Sequence, residues 1–324
     1  MIRFHDAAAV HRLLDMPGCI SAVRQAMAQF SADGTPQPLR SITTIAPGKL
    51  FALMPGSLVA PQGMGAKVIT AYSEPDRPGR SRHRGIVVLF DRDSGEPVAL
   101  GDAEAITQIR TAAASAVATD ALARPDARRA AIFGTGEQAR SHVQAMAAIR
   151  PFDEILVWGR SAAAAEALVA DLAGQVAVPL RAEPDPRAAA TAADVICTVT
   201  GAATPILLDE WVREGTHLNI VGSSHAGPVE IDSALVARAR YIADSRASAL
   251  AAAAEFLVAR AEGLVGDDHI RGEIGEVLNG TLGGREAAGQ VTLYKSLGHI
   301  VQDLAALTYV DSKALSAKLP HSPV

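Results

Sequence analysis

The stretch of sequence that most constrains the fold is GTGEQA at residues 134–139, which lies between an apolar segment and an alanine-rich segment. In this GxGxxA pattern, Gly134 permits a tight turn, Gly136 lets the backbone approach a pyrophosphate, and Ala139 allows a helix to pack closely on a strand. The strand-like segment EILVW ends about 20 residues further on, which is the spacing that a dinucleotide-binding βαβ unit requires. The pattern therefore predicts a strand, a turn and a helix that hold an NAD-type cofactor.

The two halves of the chain differ in the order of their predicted strands and helices. From residue 130 onward, strand-like segments alternate with helix-like segments, which predicts right-handed βαβ units and a parallel sheet. Residues 36–98 instead hold short β-rich segments separated by Gly and Pro, which predicts an antiparallel region. Helical spacing predicts one helix over 1–30 and a long one over 103–123. The expected fold class is α/β, a Rossmann-type doubly wound parallel sheet plus an α+β domain.

The end of the second strand of the βαβ unit bears on which cofactor binds. NAD sites usually place an acidic residue there for the ribose 2′-hydroxyl, but this chain continues from Trp158 with Gly159, Arg160 and Ser161. A guanidinium can pair bidentately with a 2′-phosphate, so Arg160 predicts NADPH, with NADH as the alternative cofactor. The competing interpretation is that Arg160 stacks on the adenine of either cofactor.

Composition excludes several classes of protein. The 324 residues suit two domains, and the formal charge of −5, without a block of Lys or Arg, gives no expectation of nucleic-acid binding. Two cysteines without a CxxC pair fit a reducing compartment, so we expect a cytoplasmic protein. Neither a signal peptide nor an apolar run of about 18 residues is present, so no membrane span is expected. The nine histidines lack metal-ligand spacing, and no metal site is expected.

Three cationic residues in the first part of the chain are candidates for a binding site. Lys67 is the one charged residue of the apolar segment MGAKVITAY, Arg40 precedes the segment SITTIA, and Arg110 lies in the alanine-rich helix. Burying an ammonium is costly unless it is paired, so Lys67 in particular needs an anion nearby. Each residue also has an ordinary alternative, as a strand-edge lysine, a loop arginine and a helix-surface arginine.

Taken together, several segments carry a resemblance to a known family. Arg40 and the segments GAKVIT, ITQIRTAAASAVAT, IFGTGEQA, VWGRS, VGSSHAGPVEID and YKSLGHIVQDLA resemble, in this order, the ornithine cyclodeaminase/μ-crystallin family over nearly the whole chain. Members of that family dimerise through the sheet of an N-terminal domain and bind NAD(P)H in a Rossmann domain. The resemblance implies a homodimer with a substrate-binding and dimerisation domain at 1–120, joined by a C-terminal helix at 297–324, and an NAD(P)-binding domain at 121–296.

The resemblance also implies roles for individual residues. Arg40, Lys67 and Arg110 would surround the carboxylate of a small-molecule substrate, and Glu255 would line the same pocket unless it is an ordinary helix-surface glutamate. His225 is a candidate proton source, since an imidazole titrates near neutral pH, or else a packed or solvent-facing loop histidine. The residues expected to bind the cofactor are Thr111, Gly134, Thr135, Gly136, Glu137, Gln138, Arg160, Ser161, Thr200, Gly222 and Ser296.

One departure from the family pattern selects among its activities. The family's cyclodeaminases and its alanine dehydrogenase have an aspartate where this chain has Ser224, whereas its ketimine reductases have serine. A serine offers no permanent negative charge, so the resemblance favours NAD(P)H-dependent reduction of Δ1-pyrroline-2-carboxylate to L-proline, or of Δ1-piperideine-2-carboxylate to L-pipecolate. Lys67, Ser224 and His225 would then be the catalytic residues. The alternatives are a lyase such as ornithine cyclodeaminase or hydroxyproline dehydratase, an L-amino-acid dehydrogenase, and a non-catalytic NADPH-dependent binding protein.

Overall fold

The chain divides into two units, and both of its ends belong to the first. A computed structural model describes residues 2–34, 37–58, 63–72, 83–317 and 322–323. The first unit comprises Met1–Arg110 and His299–Val324, and the second comprises Thr111–Gly298. The first boundary lies inside a long helix that the sequence analysis assigned up to residue 120 to one domain, so this helix contributes residues to both units.

The elements are numbered along the chain. The first unit begins with β1 (Arg3–His5), α1 (Ala7–Leu13), α2 (Met16–Asp33), β2 (Ser41–Ala46), β3 (Lys49–Leu58), β4 (Gly63–Tyr72), β5 (His83–Phe90), β6 (Pro97–Asp102) and the start of α3 (Ala103–Leu122). The second unit continues with β7 (Arg129–Phe133), α4 (Glu137–Ile149), β8 (Glu154–Trp158), α5 (Ala162–Leu172), β9 (Leu180–Ala182), α6 (Pro186–Ala192), β10 (Val195–Thr198), β11 (His217–Ile220), α7 (Ser233–Arg238), β12 (Arg240–Ala243), α8 (Arg246–Ala252), α9 (Ala254–Ala261), β13 (Ile270–Glu273), α10 (Ile274–Leu278) and β14 (Thr292–Lys295). The chain returns to the first unit with α11 (Ile300–Ser316) and β15 (Ser322–Pro323).

The single helix expected over 1–30 is wrong, because the segment forms β1 and two separate helices. Asp6 caps α1 by accepting a hydrogen bond from the backbone N–H of Ala9, and Asp15 caps α2 in the same way from Gly18. Pro17 stands in the first turn of α2, where its missing N–H costs nothing. Apolar periodicity alone does not distinguish one helix from two. The capping residues Asp6 and Asp15 mark two separate helix N-termini within this stretch.

The first unit is built on a seven-stranded sheet in the order β15-β1-β6-β5-β4-β3-β2. Strands β2 to β6 pair antiparallel with one another, as the sequence predicts for residues 36–98, whereas β1 pairs parallel with β6 and antiparallel with β15. Helix α11 packs against α2 and against strands β3 to β6, and so covers one face of the sheet. This packing brings a helix from the C-terminal end of the chain onto strands from its first third.

The opposite face of this sheet carries apolar side chains at the surface. Leu53 on β3 lies opposite Val68 on β4, which lies opposite Ile86 on β5, and Phe51 points to the same side as Leu53. Phe51, Leu53 and Ile86 are exposed, and Val68 is half-buried. These four residues are called the open face below.

The second unit is a doubly wound parallel sheet, which confirms the expected fold class. Its eight strands lie in the order β13-β12-β14-β11-β10-β7-β8-β9, and all of their pairings are parallel. The chain runs outward from β7 through β8 to β9 and then crosses to β10 on the other side of β7. Ligands of such sheets bind at the carboxyl ends of the strands at this switch point. Among the described helices, none is long and apolar enough to cross a membrane.

Candidate active site

The glycine turn follows β7 at the switch point. Gly134 has a φ of 144°, and its backbone N–H donates a hydrogen bond to the carbonyl oxygen of Trp158 at 2.8 Å. A Cβ atom on Gly134 would lie 2.8 Å from Cγ2 of Val199, which follows β10. Both the backbone conformation and the close approach therefore require glycine at this position.

Gly136 is different, because the protein itself gives no reason for a glycine there. Its φ is −91°, and a Cβ atom built on it meets no atom of the described residues within 4 Å. Gly136 caps α4, whose first backbone N–H groups have no partner within the helix and suit an anion. Open space at the N-terminus of a helix is what a pyrophosphate requires, so the turn fits a dinucleotide.

Two buried hydroxyl groups also fit a bound cofactor. Thr111 on α3 and Ser296 after β14 are both buried, and the described residues provide no hydrogen-bond partner for either hydroxyl oxygen. A buried hydroxyl without a partner is unfavourable by about 1–3 kcal/mol, so a ligand that supplies one would be bound more tightly. Both residues were expected from the sequence to contact the cofactor.

The end of β8 lies beside the glycine turn. A Cβ atom on Gly159 would come within 2.5 Å of Cγ2 of Thr135, so the two segments touch. Arg160 and Ser161 follow at the surface, where Ser161 caps α5 by accepting a hydrogen bond from the N–H of Ala164 at 3.2 Å. Arg160 is therefore exposed to solvent beside the turn. Of the expected cofactor residues at the start of α4, Glu137 is exposed and Gln138 is half-buried.

A buried carboxylate that the sequence analysis missed connects the ends of β10 and β11. Glu230 is fully buried and accepts hydrogen bonds from the hydroxyl of Thr198, from the N–H and hydroxyl of Thr200, and from the N–H of Gly222, all at 2.6–2.8 Å. Burial raises the pKa of this carboxyl, while its hydrogen bonds and the charge of Lys295 act in the opposite direction. Glu230 thus fixes the positions of Thr200 and Gly222, two expected cofactor residues.

A buried ion pair between Lys295 and Glu255 lies next to Glu230. The Lys295 ammonium, at the end of β14, donates hydrogen bonds to Glu255 Oε2 at 2.9 Å and to Ser223 Oγ at 2.6 Å. Ser223 Oγ in turn contacts Glu255. Glu255 is 2% exposed, so its interpretation as a helix-surface residue is wrong. Lys295 and Ser223 were not foreseen.

The next two residues of this loop are the candidates named from the sequence. Ser224 is half-buried and His225 is exposed. They directly follow Ser223, whose carbonyl oxygen accepts a hydrogen bond from the Lys295 ammonium at 2.7 Å. The buried ion pair therefore anchors the start of the loop that carries both candidates.

Two of the cationic candidates in the first unit, Lys67 and Arg110, contact the same carboxylate. The ammonium of Lys67 on β4 lies 3.0 Å from Asp303 Oδ1, and Nε of Arg110 on α3 lies 3.1 Å from the same oxygen. Lys67 is 3% exposed and Arg110 is 4% exposed, so neither is the surface residue that the ordinary interpretation allowed. Asp303 on α11 is fully buried. The sequence analysis had not identified it.

The charged groups of this cluster shift the pKa values of Lys67 and Asp303. Burial lowers the pKa of Lys67 to about 8; the Asp303 carboxylate opposes this effect, and the charges of Arg110 and Arg40 add to it. Arg40 is therefore close enough to Lys67 to influence its charge. Burial alone would raise the pKa of Asp303, but the charges of Arg110 and Lys67 bring it below its ordinary value. Among Lys67, Arg110 and Asp303, two cationic side chains share one carboxylate oxygen.

The described residues contain no group of three or more His, Cys, Asp or Glu side chains that could hold a metal ion. The first unit holds the cationic cluster around Asp303, and the second unit holds the glycine turn and the buried hydroxyl groups of Thr111 and Ser296. The sequence profile of the Ornithine cyclodeaminase/mu-crystallin family matches residues 2–318. The chain belongs to this family.

Individual relatives are similar over nearly the full chain. A Δ1-pyrroline-2-carboxylate reductase from Bacillus cereus is 33% identical over 305 residues, which cover 94% of each protein. Among solved structures, Thermococcus litoralis Δ1-pyrroline-2-carboxylate reductase in complex with NADH and L-proline has a TM-score of 0.94 at 28% identity, covering 100% of both chains. An archaeal alanine dehydrogenase dimer with bound NAD has a TM-score of 0.92 at 26% identity, covering 100% of this chain and 98% of that chain.

Proposed function

We propose that this protein is an NAD(P)H-dependent imine reductase that converts Δ1-pyrroline-2-carboxylate to L-proline, and its six-membered analogue Δ1-piperideine-2-carboxylate to L-pipecolate. The observation that carries the proposal is the buried cluster in which Lys67 and Arg110 share one oxygen of Asp303. Two buried cations beside a single carboxylate leave a positive charge that an anionic substrate neutralises. The relatives named as reductases of a cyclic imine carboxylate support this choice of anion.

Within the first unit, Arg40, Lys67 and Arg110 bind the substrate carboxylate. In the described part of the chain, the contacts of Arg110 with α11 use its Nε and one Nη1 hydrogen, so Nη2 remains for a ligand. A carboxylate held by these cations fixes the orientation of the adjacent ring carbon, and this orientation supplies the proximity contribution to the rate. The substrate-binding and dimerisation domain proposed here comprises 1–120 and 297–324.

The second unit binds the cofactor, in a domain proposed to comprise 121–296. Gly134, Thr135 and Gly136 accommodate the pyrophosphate, together with the first N–H groups of α4 at Glu137 and Gln138. Arg160 and Ser161 bind the adenosine end, with a preference for NADPH. Thr111, Thr200, Gly222 and Ser296 line the remainder of the site. When bound, the reduced nicotinamide supplies the hydride that the imine carbon accepts.

The residues that act at the imine nitrogen are Ser224 and His225. Glu255 lines the substrate pocket, and Lys67 assists by holding the substrate carboxylate. A hydroxyl at Ser224 can orient a protonated imine without removing its proton, because it is not a base near neutral pH. His225 supplies the proton, because a histidine side chain can act as a general acid. A carboxylate at position 224 would favour the removal of an amino group instead, so Ser224 supports reduction over ornithine deamination.

The test is a spectrophotometric assay of NADPH and NADH oxidation with a panel of substrates. Both cyclic imines, mixtures of oxo acids with amines, and L-ornithine are supplied to the purified full-length protein. We expect oxidation of the nicotinamide with the cyclic imines and formation of L-proline or L-pipecolate. Conversion of ornithine to proline without any reduction of the imines would overturn the proposal and assign the protein to the lyases.

A further inference from the structure

Two consecutive side chains of α11 hold the two buried cations of the first unit. Asp303 Oδ1 accepts from the Lys67 ammonium at 3.0 Å and from Arg110 Nε at 3.1 Å, and Gln302 Oε1 accepts from Arg110 Nη1 at 2.7 Å. Gln302 and Asp303 are fully buried. Lys67 also donates to Thr107 Oγ1 at 2.5 Å. The orientation of both cations is therefore determined by one turn of α11 and by α3.

Asp303 makes both of its charged contacts through one oxygen. Among the described residues, its other oxygen, Oδ2, is buried and accepts no hydrogen bond. An ionised carboxylate can accept hydrogen bonds through both of its oxygens, so half of the acceptor capacity of Asp303 is not used by these contacts. Sharing Oδ1 instead holds the Lys67 ammonium and the Arg110 guanidinium on the same atom, so the two cations are kept close together in spite of their mutual repulsion.

We propose that Asp303 is a positioning residue for imine reduction, which keeps Lys67 in its ammonium form and holds Arg110 so that Nη2 is presented to the substrate carboxylate. This inference rests on the proposed function, because it concerns the same anion site. Asp303 does not itself contact the substrate; it acts through the two cations that do.

The pKa values in the cluster agree with this role. Burial lowers the pKa of Lys67 to about 8, and the influences that raise it both come from Asp303, through its charge and its hydrogen bond. The groups that face the cluster from other elements are Arg110 on α3 and Arg40 before β2, which lower the pKa of Lys67 further. At the start of α11, His299 has a pKa of about 4, chiefly because it is buried, and is therefore neutral around pH 7. Without Asp303, Lys67 would lose its proton at a lower pH.

The experiment compares Asp303→Asn with a matched control on the same helix. Asp311 also lies on α11 and forms ion pairs, but with Arg3 at 2.7 Å and His5 at 2.9 Å. We expect Asp303→Asn to raise the KM for the imine by about 10-fold or more, as for the loss of a charged hydrogen bond, and to leave the KM for the cofactor nearly unchanged. The alkaline limb of kcat/KM should move to lower pH. Asp311→Asn should change neither quantity.

A second measurement does not depend on activity. The chain contains five lysines, so NMR of protein labelled at lysine Cε can follow Lys67, whose signal is identified by its loss in Lys67→Arg. We expect Lys67 to titrate at lower pH in Asp303→Asn than in the wild type or in Asp311→Asn. An unchanged titration overturns the proposal. If the wild type reduces no imine while this shift occurs, the proposed function fails and the effect of Asp303 on Lys67 stands.

The glutamate variant covers the case in which Asp303→Asn does not fold. Asp303→Glu keeps the charge and moves it by one methylene, so Lys67 should titrate near its wild-type pH while the KM for the imine rises. Asp311→Glu is the matched control and should leave that KM unchanged. A wild-type KM in Asp303→Glu would show that the position of the carboxylate does not matter and would overturn the positioning role.

Discussion

At the scale of single residues, the informative signal is a charge that stands alone in an apolar segment. Lys67 was recognised in this way, and the structure places it in a buried ion pair. Lys295 in VTLYK and Asp303 in HIVQDLAAL have the same character and were missed, although each is fully buried and paired. Their partners lie far away in the sequence. A single charged residue in an apolar segment therefore indicates that a partner is needed, but it does not indicate which residue that partner is.

The role of Lys67 can be tested by removing its ammonium. We expect Lys67→Ala to lower kcat/KM for the cyclic imine by roughly 30- to 1,000-fold, or about 2–4 kcal/mol, as for the loss of a charged contact to a carboxylate. NADPH affinity should remain close to that of the wild type, because Lys67 belongs to the other unit. Steady-state kinetics and cofactor titration measure the two quantities. Lys313→Ala, which removes a half-exposed lysine on α11, is the control and should retain full activity.

Arg160 is expected to distinguish the two cofactors. The side chain is exposed beside the glycine turn, and no carboxylate follows β8 at the position where an NAD site usually has one. We expect Arg160→Ala to weaken NADPH binding by about 1.5–3 kcal/mol, the contribution of a charge-assisted hydrogen bond. NADH binding in the same variant, followed by fluorescence titration, is the internal comparison. Equal losses for the two cofactors would mean that Arg160 does not bind the 2′-phosphate.

At the scale of elements, hydrophobic periodicity predicted the strands of the parallel sheet, but it did not predict which loop residues contact the candidate site. Strands β7, β8, β10 and β11 lie where the alternation of apolar segments predicts them, because buried parallel strands have continuous apolar sequences. The hydrogen bonds that Glu230 accepts from Thr200 and Gly222 could not be predicted, because Glu230 lies in a loop and hydrophobic periodicity predicts only helices and strands. Its position depends on the order of the strands in the sheet, which brings the ends of β10 and β11 together.

The two glycines of the turn should respond differently to the same substitution. Gly136→Ala places a methyl group in open space, so we expect an unchanged melting temperature and cofactor affinity reduced by about 10-fold or more, the effect of losing one charged hydrogen bond to the phosphates. Gly134→Ala forces alanine to a φ of 144° and against Val199, and should destabilise the protein by about 1–3 kcal/mol. Calorimetry with and without NADPH separates the two effects. A loss of stability in Gly136→Ala, with normal cofactor affinity, would contradict this assignment.

At the scale of the whole molecule, the open face supports the proposed homodimer. Phe51, Leu53 and Ile86 are exposed together on one side of the sheet, whereas α11 covers the other side. A contiguous apolar surface on a soluble protein is typical of an interface. Because a charge in such an interface is unfavourable, we expect the wild type to sediment as a dimer at micromolar concentration and Leu53→Glu to sediment as a monomer. Val258→Glu, at a comparably exposed apolar position in the second unit, should remain dimeric. A monomeric wild type would refute the dimer itself.

The first unit contains segments that precede and follow the second unit in the sequence. It therefore cannot be completed before the second unit has been translated. Lys67 and Arg110 leave the exit tunnel long before Asp303, because all of the second unit is translated between them. Domains generally fold as units during synthesis, so the parallel sheet can form while the anion site still lacks its carboxylate. The nascent chain therefore carries two uncompensated cations on an unfinished sheet until α11 arrives. The charged cluster is therefore complete only after the whole second unit has been translated.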